Sequence, residues 1–286
     1  MTERPRRTLA TPSQVYEGVG LHSGADAAVC FLPAPAGTGL TFRNRVGGQE
    51  IPARAVNVTD TSRCTRLGLN GLEVQTVEHV LSALAGLGVD DALIEFKGGE
   101  MPAGDGSAAP FVALIQEAGL QEHGDGISFL TFQTPVLIVE GSSTIIVMPA
   151  DQFQVTVVLD YPDRSAIGTQ GMTFDPAAGA YAQRYAEEIA PARTYGFRSE
   201  LAMLHAHGLA LGASYDNVLA LSDSGALLAD DDGRVMTPPR FLNELARHKL
   251  LDLIGDLALV GAPLQAHIIA VKPSHALNTR LARLLS

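Results

Sequence analysis

His248 and Asp252 stand four residues apart in the stretch Pro239-Arg-Phe-Leu-Asn-Glu-Leu-Ala-Arg-His-Lys-Leu-Leu-Asp-Leu-Ile-Gly-Asp-Leu-Ala258. On a helix that spacing puts an imidazole and a carboxylate on one face, within reach of one metal ion. Asp256 extends the polar line by a turn, and Lys249, one of only three lysines in the chain, sits beside the pair. Such a row gains nothing from burial unless something pairs with it. Taken alone, a His and an Asp at this spacing are more often a solvated or hydrogen-bonded couple than half of a metal site.

Other residues could complete such a site. Glu73-Val-Gln-Thr-Val-Glu-His-Val-Leu-Ser-Ala-Leu-Ala-Gly-Leu-Gly88 predicts a helix with Thr76 as N-cap and an apolar stripe of Val77, Val80, Leu81 and Leu84. In its first turn the positive end of the helix dipole favours a carboxylate at Glu78 and a neutral, ligating imidazole at His79. His79, His248 and Asp252 supply two imidazoles and a carboxylate, a set that suits zinc with a fourth position left for water. A metal held in this way polarises a carbonyl and activates water near neutral pH. Glu78 is then placed to take the water's proton, and His275 to protonate a leaving group with Asp256 orienting and charging it. Thr194 offers a hydroxyl to a developing oxyanion. These are the parts of a metal-assisted amide hydrolase, and the fold must bring them together.

The positioning elements are legible as two runs of strands, each followed by a helix and another strand. Strands are expected at Gln14–Leu21, Ala27–Leu32 and Leu40–Arg43, with Ala92–Phe96 after the Thr76 helix and a helix at Ala108–Ala118. His22 reads as a turn residue, and Asp105 as part of the tight turn Gly104-Asp-Gly-Ser107. The polar, Gly-containing stretch Gly119–Gly126 is expected to connect the halves, dividing the chain into residues 1–123 and 127–286. Beyond it, strands are expected at Phe129–Phe132, Val136–Val139, Thr144–Met148 and Phe153–Leu159. Helices follow at Ala177–Ile189 and Glu200–His207, with a strand at Val218–Leu221. The long helix of the Pro239–Ala258 stretch comes next, with Phe241, Leu242, Leu245, Leu250 and Leu253 in its stripe, then the strand Gln265–Val271 and a last helix from Ser274. In both halves a His-bearing helix ends at Gly (Gly88, Gly261) and leads into a strand. That echo predicts an α+β protein of two similar domains, each a mainly antiparallel sheet with helices, with both His-bearing helices meeting between the sheets.

With 286 residues, 46% of them apolar and 18% charged, the composition is that of a globular protein with ample core. A net charge of −11 argues against a nucleic-acid binder, though not against a small anionic substrate. Cys30 and Cys64 fit no zinc-knuckle or redox spacing; Cys30 falls in an apolar run and Cys64 in a polar turn. Two lone thiols, and an N-terminus without the apolar core of a signal peptide, point to the cytoplasm. No apolar run approaches the roughly 20 residues of a bilayer span, which leaves at most peripheral membrane contact.

The motifs also resemble a known family. Gly18-Val-Gly-Leu-His-Ser-Gly24, Thr76-Val-Glu-His79 with Leu84-Ala-Gly-Leu-Gly88, and Asp105-Gly-Ser-Ala-Ala-Pro-Phe111 occur in its order. So do Ala192-Arg-Thr-Tyr-Gly-Phe197, Gly208-Leu-Ala-Leu-Gly212, Arg247-His-Lys-Leu-Leu-Asp-Leu-Ile-Gly-Asp256 and Ser274-His-Ala-Leu-Asn278. The chain is similar to the UDP-3-O-acyl-N-acetylglucosamine deacetylases, zinc enzymes of lipid A synthesis. The resemblance implies Zn2+ (with Fe2+ acceptable to the same donors) on His79, His248 and Asp252, Glu78 as base and His275 backed by Asp256. It implies Thr194 at the oxyanion, Lys249 on a substrate phosphate and Asp105 in a supporting position. An insert within Pro176–Tyr215 would form an apolar passage for the acyl chain near Tyr195 and Phe197, with Leu21 also against the substrate and Asp160 and Tyr161 at the nucleotide end. The expected partner is a UDP-linked acylated amino sugar, bound by a monomer. A metal-dependent deacetylase for another N-acetylated sugar, and a non-catalytic metal-stabilised binding protein, are the alternatives. Two departures stand out: Gly104 replaces the family's usual Met, and residues 140–150 lack the lysine that some members place there.

Overall fold

The computed structural model describes residues 3–177 and 179–286. In the first half the strands are β1 (Glu3–Leu9), β2 (Tyr16–Val19), β3 (Asp26–Pro33), β4 (Leu40–Asn44) and β5 (Glu50–Pro52), then β6 (Val58–Asp60), β7 (Arg66–Leu69) and β8 (Leu72–Gln75). Helix α1 (Glu78–Leu87), strand β9 (Ala92–Lys97) and helix α2 (Ala109–Ala118) complete it. Strands β10 (Leu120–Ser128) and β11 (Leu130–Thr131) lead to β12 (Val136–Glu140), β13 (Ser143–Pro149), β14 (Gln154–Tyr161) and β15 (Gly168–Phe174). Then come α3 (Tyr181–Glu188), β16 (Tyr195–Phe197), α4 (Arg198–Ala206), β17 (Leu219–Leu221), α5 (Glu244–Leu257), β18 (Leu264–Val271) and α6 (His275–Leu285).

The two main sheets repeat one topology. The first runs β2-β3-β9-β4-β5 and the second β12-β13-β18-β14-β15. In each, the late strand enters the middle, antiparallel to one neighbour (β3, β13) and parallel to the other (β4, β14). The helix preceding that strand carries the histidine in both halves, α1 before β9 and α5 before β18. The expected α+β architecture of two similar units is therefore present. The alternation Leu264, Ala266, Ile268 and Ala270 turns every second residue of β18 into the core, as Val155, Val157 and Leu159 do on β14. Helices α1 and α5 pack on each other within one continuous apolar core, in which α5 also contacts β14 and β15.

The contact between α1 and α5 is close because Gly255 lies against the backbone of Glu78, where any Cβ would overlap the Glu78 carbonyl. Ser82 of α1 donates to the carbonyl of Leu251 on α5 (2.8 Å), and Tyr185 of α3 meets the same hydroxyl at 2.7 Å. Both the spacing and the rotation of the two helices are thereby set. Among the described residues no helix is long and apolar enough to cross a membrane.

Two expectations are corrected. Thr76 does not cap α1; the residue before the helix is Val77, and Thr76 has φ +59° with its hydroxyl donating to Glu100 Oε1 (2.9 Å). The long helix begins at Glu244 rather than near Pro239, leaving Leu242 wholly exposed. Ahead of it the N–H of Arg240 donates instead to the buried Glu244 carboxylate, which also accepts from the backbone and side chain of Arg193 (3.0 and 2.9 Å). The stretch Gly119–Gly126 falls almost wholly in β10, which pairs with β1. Cys64 is buried within its turn, and burial with the nearby Glu78 charge pushes its thiol up to about 12.

Candidate metal centre and active site

The α1–α5 contact puts His79 opposite His248 and Asp252, which are all buried and offer ligand atoms lying within 4.8 Å of one another. Asp252 Oδ1 lies 3.4 Å from His248 Nε2 and 3.6 Å from His79 Nε2. That oxygen makes no hydrogen bond to any described residue, a costly state for a buried carboxylate oxygen. His248 Nδ1 sits 3.0 Å from the carbonyl oxygen of Ala192, an acceptor that fixes the proton on Nδ1 and turns the Nε2 lone pair inward. Burial drives the His248 ring down to about 3, so it is neutral. Asp252 is also buried, but the adjacent Lys249 and His275 charges outweigh the desolvation and hold it ionised, well below the usual carboxylate range. Two imidazole nitrogens, that of His248 neutral, and a carboxylate oxygen with no hydrogen bond face one another, and this set fits a divalent cation.

A second cluster lies beside the first. His275 is the first residue of α6, whose N-cap Ser274 accepts from the N–H of Leu277 (3.2 Å). Asp256, one turn beyond Asp252, takes His275 Nδ1 at 2.9 Å, the hydroxyl of Thr65 at 2.6 Å and the amide of Asn278 at 2.9 Å. His275 Nε2 is left facing Glu78 Oε1 and Asp252 Oδ2, each 3.9 Å away. Burial alone would lower this imidazole, but Asp256 and Glu78 raise it to about 9, so it is protonated at neutral pH. Glu78 is shifted upward, because its complete burial outweighs the nearby histidines. Its Oε2 accepts the N–H of Thr65 (2.9 Å).

Two further sides of the site come from loops, and Lys249 of α5 supplies a third. Thr194 is held by its N–H to the carbonyl of Gly106 (2.8 Å), and Asp105 shapes that turn by accepting from Ser107 and pairing with Arg240 at 2.8 Å. Asp105 thus supports Thr194 from behind and forms no hydrogen bond with His79, His248 or Asp252. Lys249 Nζ donates to Asp252 Oδ2 at 2.7 Å and lies 5.7 Å from the centre of the Tyr195 ring. On the far side the Leu21–Ser23 turn is pinned by Glu100, whose two oxygens accept the N–H groups of His22 and Ser23 at 2.8 Å each.

The site opens into a cavity of about 860 Å³. Leu21, Thr194, Lys249, Tyr195, Phe197 and Tyr161 line it, together with Leu201 and Leu204 of α4. Tyr161 and Tyr195 join hydroxyls at 2.8 Å, and Arg164 stacks on Phe197 with 3.4 Å to the ring centre. Of the site residues expected from the sequence, Asp105 and Asp160 stand outside this lining, the His79–His248–Asp252 cluster and the neighbouring group of Glu78, Asp256 and His275; Asp160 accepts from Thr169 across the β14–β15 pair.

Three residues at the site escaped the sequence reading. Thr65 carried no signal beyond a polar turn. Asn278 lies one turn after His275 inside a motif already noticed, and that spacing could have marked it. His22 is a turn residue but is also buried against the site, where burial lowers its ring to the neutral form and its Nδ1 has no partner among the described residues.

The family model described as "LpxC: UDP-3-O-acyl N-acetylglycosamine deacetylase" matches residues 6–286. A protein of Anaeromyxobacter sp. (strain Fw109-5) is 42% identical over 285 residues, 99% of this chain and 89% of its own. One of Thermosynechococcus vestitus is 42% identical over 283 residues, 98% of this chain and 94% of its own. One of Myxococcus xanthus is 40% identical over 280 residues, 97% and 85%. All three carry the name UDP-3-O-acyl-N-acetylglucosamine deacetylase. The chain belongs to the UDP-3-O-acyl N-acetylglycosamine deacetylase (LpxC) family.

Proposed function

We propose that this protein is a zinc-dependent amidohydrolase that removes acetate from the 2-acetamido group of a UDP-linked 3-O-acyl-N-acetylglucosamine, in lipid A synthesis. The observation that carries the reading is the unpaired Asp252 Oδ1 facing His79 and His248, with His275 and Glu78 beside it. His79, His248 and Asp252 hold the ion, zinc suiting the two-imidazole, one-carboxylate set and ferrous iron being its alternative. When bound, the ion supplies Lewis acidity to the amide carbonyl and to water.

The chain's own groups do the rest. Glu78, with Oε2 tied to Thr65, presents Oε1 to take a proton from the attacking water. The Thr194 hydroxyl donates to the carbonyl oxygen as negative charge develops on it. His275, charged and aimed by Asp256, hands a proton from Nε2 to the departing amine. Lys249 holds Asp252 and presents its remaining donors to a substrate phosphate. The aromatic cavity takes the acyl chain along Tyr195 and Phe197, with Tyr161 and Leu21 on the sugar-nucleotide side, and Asp160, outside the lining, lies next to Tyr161 at that end. All these groups come from one chain, so a monomer suffices, and the free thiols of Cys30 and Cys64 suit the cytoplasm.

The assay is acetate release from the acylated UDP-sugar and from the same sugar without the acyl chain. Turnover confined to the acylated substrate supports the proposal. Equal turnover of both transfers the chemistry to another N-acetylated sugar.

A further inference from the structure

A second cavity, of about 460 Å³, opens at the far ends of the two site helices. Helix α1 carries His79 in its first turn and Leu87 in its last, about 12 Å along the axis. The wall is built from Leu87, Leu257, Tyr181, Ala182, Phe129 and Phe153, and none of its residues lines the catalytic cavity. Its volume falls in the range of about 300–1,000 Å³ that suits small-molecule sites. An apolar wall of this kind offers a ligand almost no polar partners, so the buried part of an occupant must be hydrocarbon.

The charged lining decides the head group. Arg4 is committed, forming two hydrogen bonds to Asp90 at 2.7 and 2.8 Å. The Arg7 side chain is partly exposed and makes no hydrogen bond to a described residue; its nearest carboxylate, Glu122, is 3.9 Å away. Asp151 of the same lining is exposed, where water and salt screen it. Arg7 therefore offers uncommitted donors beside an apolar hole, the arrangement a carboxylate at the end of a chain would satisfy. We infer that this cavity binds the chain of a fatty carboxylate, with Arg7 holding the head group.

Methyl-labelled protein titrated with decanoate, octanoate and decanol tests this. Shifts are expected at Leu87, Ile254, Leu257 and Leu264, saturating, with affinity rising about fourfold per added methylene. Arg7→Gln should weaken decanoate about tenfold and leave decanol within about twofold. Ala182→Leu should abolish these shifts while the remaining spectrum stays that of the folded protein. Shifts confined to Leu201, Leu204 and Leu228 would place the probe only in the catalytic cavity and overturn the inference. Equal loss of decanoate and decanol in Arg7→Gln, or no change in Ala182→Leu, would overturn it as well. The readout is binding at a separate set of methyls, so it stands or falls independently of turnover.

Discussion

His275 Nδ1 lies 2.9 Å from Asp256 Oδ2, and the pair is buried with the imidazole's other nitrogen turned toward Glu78 and Asp252. A cation at the N-terminus of α6 opposes the helix dipole, so its charge depends on Asp256. The raised His275 keeps its proton until pH approaches about 9. If this proton is the one given to the leaving amine, activity is present below that value and lost as pH rises through it. Asp256→Asn should move this high-pH limb of kcat/KM to lower pH and reduce the rate about a hundredfold. An unmoved limb would assign it to another group.

Glu78 separates chemistry from assembly. Glu78→Gln keeps the acceptor for the Thr65 N–H but cannot accept a proton from water. The expected result is a fall in kcat of about two to four decades with metal content and melting temperature unchanged. Retained turnover would mean that another group takes the water's proton, whereas absence of turnover in the unmodified protein would favour a non-catalytic, metal-stabilised protein.

Gly255 tests whether the helix contact sets the site. Gly255→Ala forces a methyl group into the Glu78 carbonyl and pushes α1 from α5, moving Glu78 and His79 away from His248 and Asp252. Denaturant titration should show a loss of about 1–3 kcal/mol, and metal affinity should fall with it. Unchanged metal affinity would mean that the centre tolerates movement between the helices.

Glu100 ties the Leu21–Ser23 turn to Thr76. Burial raises its carboxyl, but the N–H groups of His22 and Ser23 and the Thr76 hydroxyl outweigh that, and the net shift is downward. A depressed folded value means that the stabilisation is present above the unfolded value, about 4.3, and is lost as pH falls below it. Glu100→Gln should cost about 1–3 kcal/mol at neutral pH and flatten the loss of stability on acidification. An unaltered acid limb would show that other carboxylates govern it.

Much of the site was legible because helix periodicity fixes local geometry. His248, Asp252 and Asp256 had to share a face once their stretch formed a helix, and the Gly-ended echo around His79 foretold the second His-bearing helix. What stayed hidden depends on partners distant in sequence. Thr76 looked like an N-cap until Glu100 took its hydroxyl, and Glu244 begins α5 where Arg193, far upstream, meets it. Strands β1 and β10 show no apolar alternation to read, since Arg4 and Arg6 of β1 are held by Asp90 and Asp91 rather than by a core. Thr65 reaches Asp256 across the fold through a single hydroxyl, which no local pattern announces.

The central claim is that His79, His248 and Asp252 close around one divalent ion. Anomalous diffraction at the zinc edge, from crystals of protein purified without chelator, measures it directly. The account predicts a single strong peak within about 2.0–2.2 Å of His79 Nε2, His248 Nε2 and Asp252 Oδ1. A map with no peak among these three atoms, or with its peak elsewhere in the chain, would contradict it.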